Sequence, residues 1–306
     1  VTRRCLFACI AAGLVFIPHA ASAQFTDPRN YQNTAVGTNQ LELSYTYAHA
    51  DASIDTSVPI AGAHLNLNGG TVDYTRYFGV LHRLMWAEAA IPVAVLDGSL
   101  GGTNIHSSTS GAGDSNYAVA MLLKGGPALS FEKFRDYTPT TTLGISVTIT
   151  APTGAYNADR ILNLGADRWS FKPEIGLSYP FGSDQKWEID AYANTYFYTN
   201  NSAYHGREIL RQEPLAGFEG HLSYAFADSV WLAFDTRYSF RGSTVIDGVP
   251  QDNPQQNFIV GSELNIGLSA SSSLVVEVAK AVVHVNGPAV VGVSVKYDYT
   301  WGKSQE

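Results

Sequence analysis

Gly113-Asp114-Ser115 invites a catalytic reading, because a serine can serve as a nucleophile. A serine hydrolase needs a base beside its serine and an acid that orients the base. His205, His221 and His284 are present, but none stands in a recognisable motif, and no Gly-x-Ser-x-Gly surrounds Ser115. Gly113 and Asp114 read better as a turn leading into a strand over Asn116–Leu123. His49, His64, His82, His106, His205, His221 and His284 are scattered singly. They form no i,i+4 helical pair and no Cys/His metal spacing, so no metal is expected. Asp159, Asp247 and Asp252 read as hydrated loop residues; divalent cations or lipopolysaccharide counter-ions are the other use of such acids. The pairs Gly69-Gly70, Gly101-Gly102 and Gly125-Gly126 lack the Lys/Ser tail of a phosphate loop and read as turns or kinks. Catalytic, cofactor-binding and metal-ligating residues are therefore all expected to be absent.

Charged residues that alternate with apolar ones say more. Glu42, Lys172, Glu174, Glu188, Asp190, Asp235, Arg237, Glu263, Lys296 and Asp298 each lie on the polar side of a period-two run. The final run is the clearest: Val291, Val293, Val295, Tyr297, Tyr299 and Trp301 alternate with Gly292, Ser294, Lys296, Asp298 and Thr300. On a strand this gives one apolar face and one polar or small face. Twelve such runs are expected, near 38–50, 63–79, 81–97, 114–125, 138–151, 168–180, 186–199, 214–227, 229–241, 256–269, 273–285 and 289–301. The connections between them alternate long and short, as outer loops and periplasmic turns do in outer-membrane barrels. Two break the pattern: 126–137 is too long for a periplasmic turn, and Asn286-Gly287-Pro288 is too short for an outer loop.

The N-terminus places these strands outside the cytoplasm. Arg3 and Arg4 precede an uncharged stretch, Cys5 to Ile17, then Pro18 and Ala21-Ser22-Ala23. Residues 1–23 read as a cleaved signal peptide and 24–306 as one barrel domain. Both cysteines, Cys5 and Cys9, fall in the signal, so disulfides, cysteine-ligated zinc and a thiol nucleophile are excluded from the mature chain. Without Arg3 and Arg4, 17 basic residues face 27 acidic ones, a net charge of −10 that disfavours nucleic acid. Charged residues are 15% of the chain and aromatic ones 12%, against about 25% charge in soluble domains. No stretch reaches the roughly 20 clean apolar residues of a membrane helix. In lipid, alternating strands must close so that every backbone N–H and C=O is paired. A soluble periplasmic sandwich or lipocalin-like barrel would also alternate, with the apolar face inward. Strand length, charge depletion and the terminal aromatic run favour the membrane barrel.

The middle of the chain carries a family resemblance. Tyr74-Thr75-Arg76-Tyr77-Phe78-Gly79 leads to a strand ending near Ile91-Pro92. Gly113-Asp114-Ser115 opens another strand, Thr150-Ala151-Pro152-Thr153-Gly154 closes the next, and Leu164-Gly165-Ala166-Asp167 precedes the run from Trp169 to Tyr179. This order resembles the outer-membrane family labelled "MetA-pathway of phenol degradation" transporters, over about residues 37–301. The resemblance implies a small barrel that passes aromatic or other apolar compounds. One departure is the C-terminus: such barrels commonly end on Phe or Trp, whereas Trp301 is followed by Gly302-Lys303-Ser304-Gln305-Glu306.

If the barrel forms, the ten charged residues line its interior. Twelve strands lie between the filled eight-stranded barrels and the open porins. The lumen is then either a narrow channel or a packed salt-bridge network. No ring of one sign is evident, so strong ion selectivity is not expected. Trp187 and Trp301 fit a periplasmic aromatic belt and Trp169 an outer one. Trp86 and Trp231 share parity with Glu88 and Asp235 and face either the lumen or a bulged register. The expected function is an outer-membrane passive channel; the alternatives are a lipid-modifying enzyme on the same scaffold and a sealed structural or adhesion barrel. Expected partners are outer-membrane lipid, a small-molecule solute and the barrel-assembly machinery, the last through Val291 to Trp301.

Overall fold

The computed structural model describes residues 26–52, 63–100, 104, 106–160 and 162–302. The expected signal peptide, residues 1–23, lies outside them. In chain order the strands are β1 (Thr38–Ala52), β2 (Ala63–Val80), β3 (Arg83–Leu100), β4 (His106–Ala112), β5 (Ser115–Lys124) and β6 (Thr142–Ala151). Next come β7 (Ser170–Phe181), β8 (Trp187–Tyr198), β9 (Asn201–Tyr204), β10 (Glu208–Gln212), β11 (Leu215–Ala227) and β12 (Val230–Arg241). The last are β13 (Thr244–Ile246), β14 (Val249–Pro250), β15 (Gln255–Ser269), β16 (Ser272–Val285) and β17 (Ala289–Gly302); one short helix, α1 (Phe131–Phe134), lies between β5 and β6.

The sheet closes on itself. Each barrel strand pairs antiparallel with its neighbours, and β1 pairs with β17 from Thr38↔Gly302 to Asp51↔Ala289. Closure leaves no edge and so removes the unpaired backbone groups that lipid cannot satisfy. The alternation in sequence becomes the two faces of the wall. Val291, Val293, Val295, Tyr297, Tyr299 and Trp301 are exposed outward, while Ser294 and Lys296 between them are buried. The outward residues of β7, Phe171, Ile175, Leu177 and Tyr179, follow the same rule. The structure is a transmembrane antiparallel barrel of twelve wall strands.

Twelve is reached because β4 and β5 together make one wall strand. β4 pairs with the outer part of β3, Val93–Ser99, and β5 with its inner part, Met85–Ala90. Between the two lies Pro92, which has no N–H to give; its carbonyl accepts the Gly113 N–H at 2.9 Å. The sequence reading sees β5 and misses β4, a stretch of Ser, Thr and Gly without apolar alternation. The outer connections 199–214 and 242–254 carry β9, β10, β13 and β14, a separate four-stranded sheet. The long connection after β5 holds α1 and pairs with the chain's own N-terminal stretch: Val36 N–H donates to the Leu129 carbonyl at 2.8 Å.

Candidate functional site in the barrel lumen

Two segments occupy the lumen. The first is the stretch before β1, which rises into the barrel from the end where β1 begins and β17 finishes. Nearest that end, Tyr31 is fully buried among Leu84, Trp86, Ala120, Leu122 and Tyr192. Its ring meets Trp86 edge-on with centroids 5.7 Å apart. Glycine makes room for it: a Cβ on Gly144 or Gly176 would fall 2.4 or 2.1 Å from the Tyr31 ring. The Tyr31 hydroxyl donates to Glu174 Oε1 at 3.0 Å and lies 2.9 Å from Ser146 Oγ, while Thr142 Oγ1 donates to the Tyr31 carbonyl at 2.6 Å. Gln32 donates to Glu188. Arg29 donates its backbone N–H to Asp190 Oδ2 at 3.0 Å and its Nε to Ser223 Oγ at 2.9 Å. The Arg29 guanidinium also lies 5.2 Å from the Trp231 ring centroid. Higher in the lumen, Thr26 N–H donates to Glu219 Oε2 at 2.6 Å and its hydroxyl to Glu174 Oε2 at 3.0 Å. Asp27 reaches the opposite wall, where Lys296 Nζ donates to Asp27 Oδ1 at 2.6 Å.

The second segment is the connection between β6 and β7, which folds inward from the outer end. Leu162 and Leu164 are buried, as are Leu65, Leu67 and Leu96 on the inner face of β2 and β3. A Cβ on Gly98 would fall 2.7 Å from Leu162 and 2.9 Å from Leu65, which places the loop leucine against that wall. One carboxylate fixes the loop. Asp114 Oδ1 accepts the Gly154 N–H and Oδ2 the Ala166 N–H, both at 2.8 Å. Gly154 and Gly165 permit the approach: a Cβ on either would lie 2.8 or 3.0 Å from Asp114 Oδ1. Ser115 Oγ pairs with Thr153 Oγ1 at 2.7 Å. Gly113 and Asp114 lead into β5 as the sequence reading has it, but they join it to β4 in one wall strand instead of turning the chain. Asp114 is a latch between the wall and the inward loop, built from two charge-assisted bonds.

Between the two segments lies a cavity of about 390 Å³. The ten charged residues expected on the inner face fall in three groups. Glu42, Lys172, Glu174, Arg237 and Lys296 border the cavity. Glu188 and Asp190 are covered by Gln32 and Arg29. Asp235 accepts from His221 Nδ1 at 2.7 Å, Glu263 lies 3.5 Å from Lys296 Nζ, and Asp298 accepts from Gln40 Nε2 at 3.1 Å. Both signs are present and interleaved, with Glu174 3.3 Å from Lys172 on β7 and Lys296 on β17 among Asp27, Glu263 and Glu277. Glu42, Asp73 and Glu88 line the cavity from β1, β2 and β3; Lys172 and Arg237 line it from β7 and β12, with Arg168 just before β7. The cations stand by tyrosine rings: the Arg168 guanidinium is 4.4 Å from the Tyr198 centroid and that of Arg237 5.9 Å from Tyr196. Asp73 and Glu88 are not among the ten, although the alternation of Val72, Asp73 and Tyr74 carries the signal. Trp86 and Trp231 face inward, whereas Trp169, Trp187 and Trp301 are exposed outward.

The sequence profile of the family described as "Putative MetA-pathway of phenol degradation" matches residues 30–297. The chain belongs to this family. Three of the short stretches by which the phenol-degradation family resemblance is read, around Asp114, Gly154 and Gly165, meet in space at the latch. Among solved structures, an outer-membrane channel from Pseudomonas putida superposes with a TM-score of 0.78 at 21% identity, covering 90% of this chain and 100% of that one. The β-domain of the Bordetella autotransporter BrkA gives 0.54 at 10% identity over 87% and 100%. The transport unit of the autotransporter AIDA-I from Escherichia coli gives 0.54 at 8% over 96% and 98%. These likenesses are of fold. Comparison with curated proteins gives no match.

Proposed function

We propose that this member of the phenol-degradation family is an outer-membrane channel for small apolar or aromatic solutes, resident in the outer membrane and bathed by its lipid. The observation that carries the reading is the cavity held between two lumenal segments, neither of which is part of the wall. Each is tied to the wall by hydrogen bonds and packing. A volume of about 390 Å³ lies within the range of small-molecule sites, about 300–1,000 Å³. Its lining joins aromatic surface, Trp86, Tyr77, Tyr196 and Tyr198, to six acidic and four basic side chains. The part of the lining where Arg168 and Arg237 stand by Tyr198 and Tyr196 suits a ring bearing a hydroxyl or carboxylate. Passage needs no covalent step and no energy source.

The interrupted wall favours a second way out. The cavity reaches Pro92 and Asn116, where the pairing of β3 changes from β5 to β4. A solute leaving there would pass sideways into lipid. We also propose that the barrel-assembly machinery reads β17 from Val291 to Trp301. Single-channel recording in planar bilayers tests the central reading. Discrete openings that an added aromatic solute reduces are expected. A folded, inserted barrel that never conducts and never passes solute would leave the sealed wall as the better description. Phospholipid hydrolysis by the purified barrel would favour the enzyme instead.

A further inference from the structure

Two of the histidines that stand alone in sequence come together at the outer rim. The register of β1 with β2 sets Asp51 opposite His64 and His49 opposite Asn66. Asp51 and His49 are two apart on β1, so His49, Asp51 and His64 share one face of the wall. By parity it is the outward face, the one on which Tyr45 and Tyr47 are exposed. Those two tyrosines mark where the lipid-facing surface turns polar: their hydroxyls donate to Asn68 Oδ1 at 3.0 Å and to Asn66 Oδ1 at 3.3 Å. The cluster is one step beyond Tyr47, where the strands emerge toward solvent.

The arrangement is that of a ligand set. His49 Nδ1 lies 2.9 Å from Asn66 Oδ1. That oxygen is already an acceptor for Tyr47, so the Nδ1 proton of His49 points to it and Nε2 presents a lone pair. A partner that fixes the tautomer in this way is the usual companion of a metal-binding histidine. Nε2 is 3.3 Å from Asp51 Oδ1, and His64 Nδ1 is 2.5 Å from the same oxygen. The two imidazoles are nearly parallel, 16° apart in plane with centroids at 6.2 Å. One ligand atom from each of the three residues lies within 4.8 Å of the others. Tetrahedral zinc, with bonds of about 2.0–2.2 Å, asks for donors roughly 3.4 Å apart. The His49–Asp51 distance meets this already. His64 must withdraw from Asp51 by less than 1 Å, which an exposed side chain on a fixed ladder can do.

We propose that His49, Asp51 and His64 form a binding site for a divalent first-row transition cation, zinc or copper, with water in the remaining position. Two imidazoles and one carboxylate suit these borderline cations. They do not suit calcium or magnesium, which take oxygen ligands. The test uses the tag-free, folded barrel in detergent. Titration with Zn²⁺ should reach one equivalent, and Co²⁺ should develop the intense visible absorption of a four-coordinate ion. His49→Ala and His64→Ala should each weaken binding at least tenfold, His205→Ala should leave it unchanged, and excess Ca²⁺ should not compete. Heat-dependent migration of every variant confirms that the wall is folded. Binding that is not saturable, that survives both rim substitutions, or that Ca²⁺ displaces equally would overturn the assignment.

Discussion

Removing the Asp114 carboxylate should free the inward loop without disturbing the wall. In the parent, Asp114 accepts two backbone N–H groups of the loop, from Gly154 and Ala166. Each charge-assisted bond contributes about 1.5–3 kcal/mol net, so Asp114→Ala withdraws roughly 3–6 kcal/mol from the loop. Leu162 and Leu164 remain buried and contribute about 1.5–3 kcal/mol each. The loop therefore stays mostly closed, and its open fraction rises by about two to four powers of ten. A cysteine in place of Leu162 reads that fraction, because residues 24–306 contain no other thiol. With Leu162→Cys in both backgrounds, maleimide labelling should be about 10²–10⁴ times faster when Asp114 is alanine. Asp114→Asn, which keeps one acceptor and loses the charge, should fall between. Equal labelling rates in the parent and the alanine background would refute the latch.

Other consequences follow from the same contacts. Gly176→Val should expel Tyr31, because even a Cβ there would lie 2.1 Å from the ring. The loss is about 3–5 kcal/mol, as for removing a buried aromatic, and should appear as larger single-channel conductance and faster proteolysis of the N-terminal stretch. Lys296→Met leaves Asp27, Glu263 and Glu277 facing one another without the ammonium that lies 2.6–3.6 Å from each. Breaking the buried Lys296–Glu263 pair costs about 3–5 kcal/mol, so the temperature at which the detergent-extracted barrel loses its compact electrophoretic form should drop. Trp301→Ala should lower the fraction of heat-modifiable barrel in cells, scored by the same gel shift, if β17 is read during assembly.

Most of the wall can be read in the sequence because each strand separates two solvents. Lipid outside and a packed lumen inside impose a period of two, and the runs ending at Trp301 or starting at Trp187 state it plainly. The ends of the expected strands fall within a few residues of the observed ones, apart from β4 and the start of β6, where no apolar alternation marks the boundary. The lumenal contents are not legible in this way. Thr26 to Gln32 is a short polar stretch without periodicity, and nothing local says that it will climb into the barrel. Asp114 acts on residues 40 and 52 positions away, so its neighbours suggest only a turn. His49 and His64 are 15 apart, a separation that means nothing until the β1–β2 register is known. Asp73 was within reach, since Val72 and Tyr74 give its parity. Which acids meet which bases across the cavity depends on strand order around the barrel, which alternation does not encode.

Uptake of an apolar fluorescent aromatic amine by intact cells tests the channel most directly, because an intact outer membrane excludes such a probe. Cells carrying the folded barrel should take it up faster than cells without it, and Asp114→Ala should raise the rate further. Identical uptake in all three strains, with heat-modifiable protein present in the outer membrane, would contradict the channel.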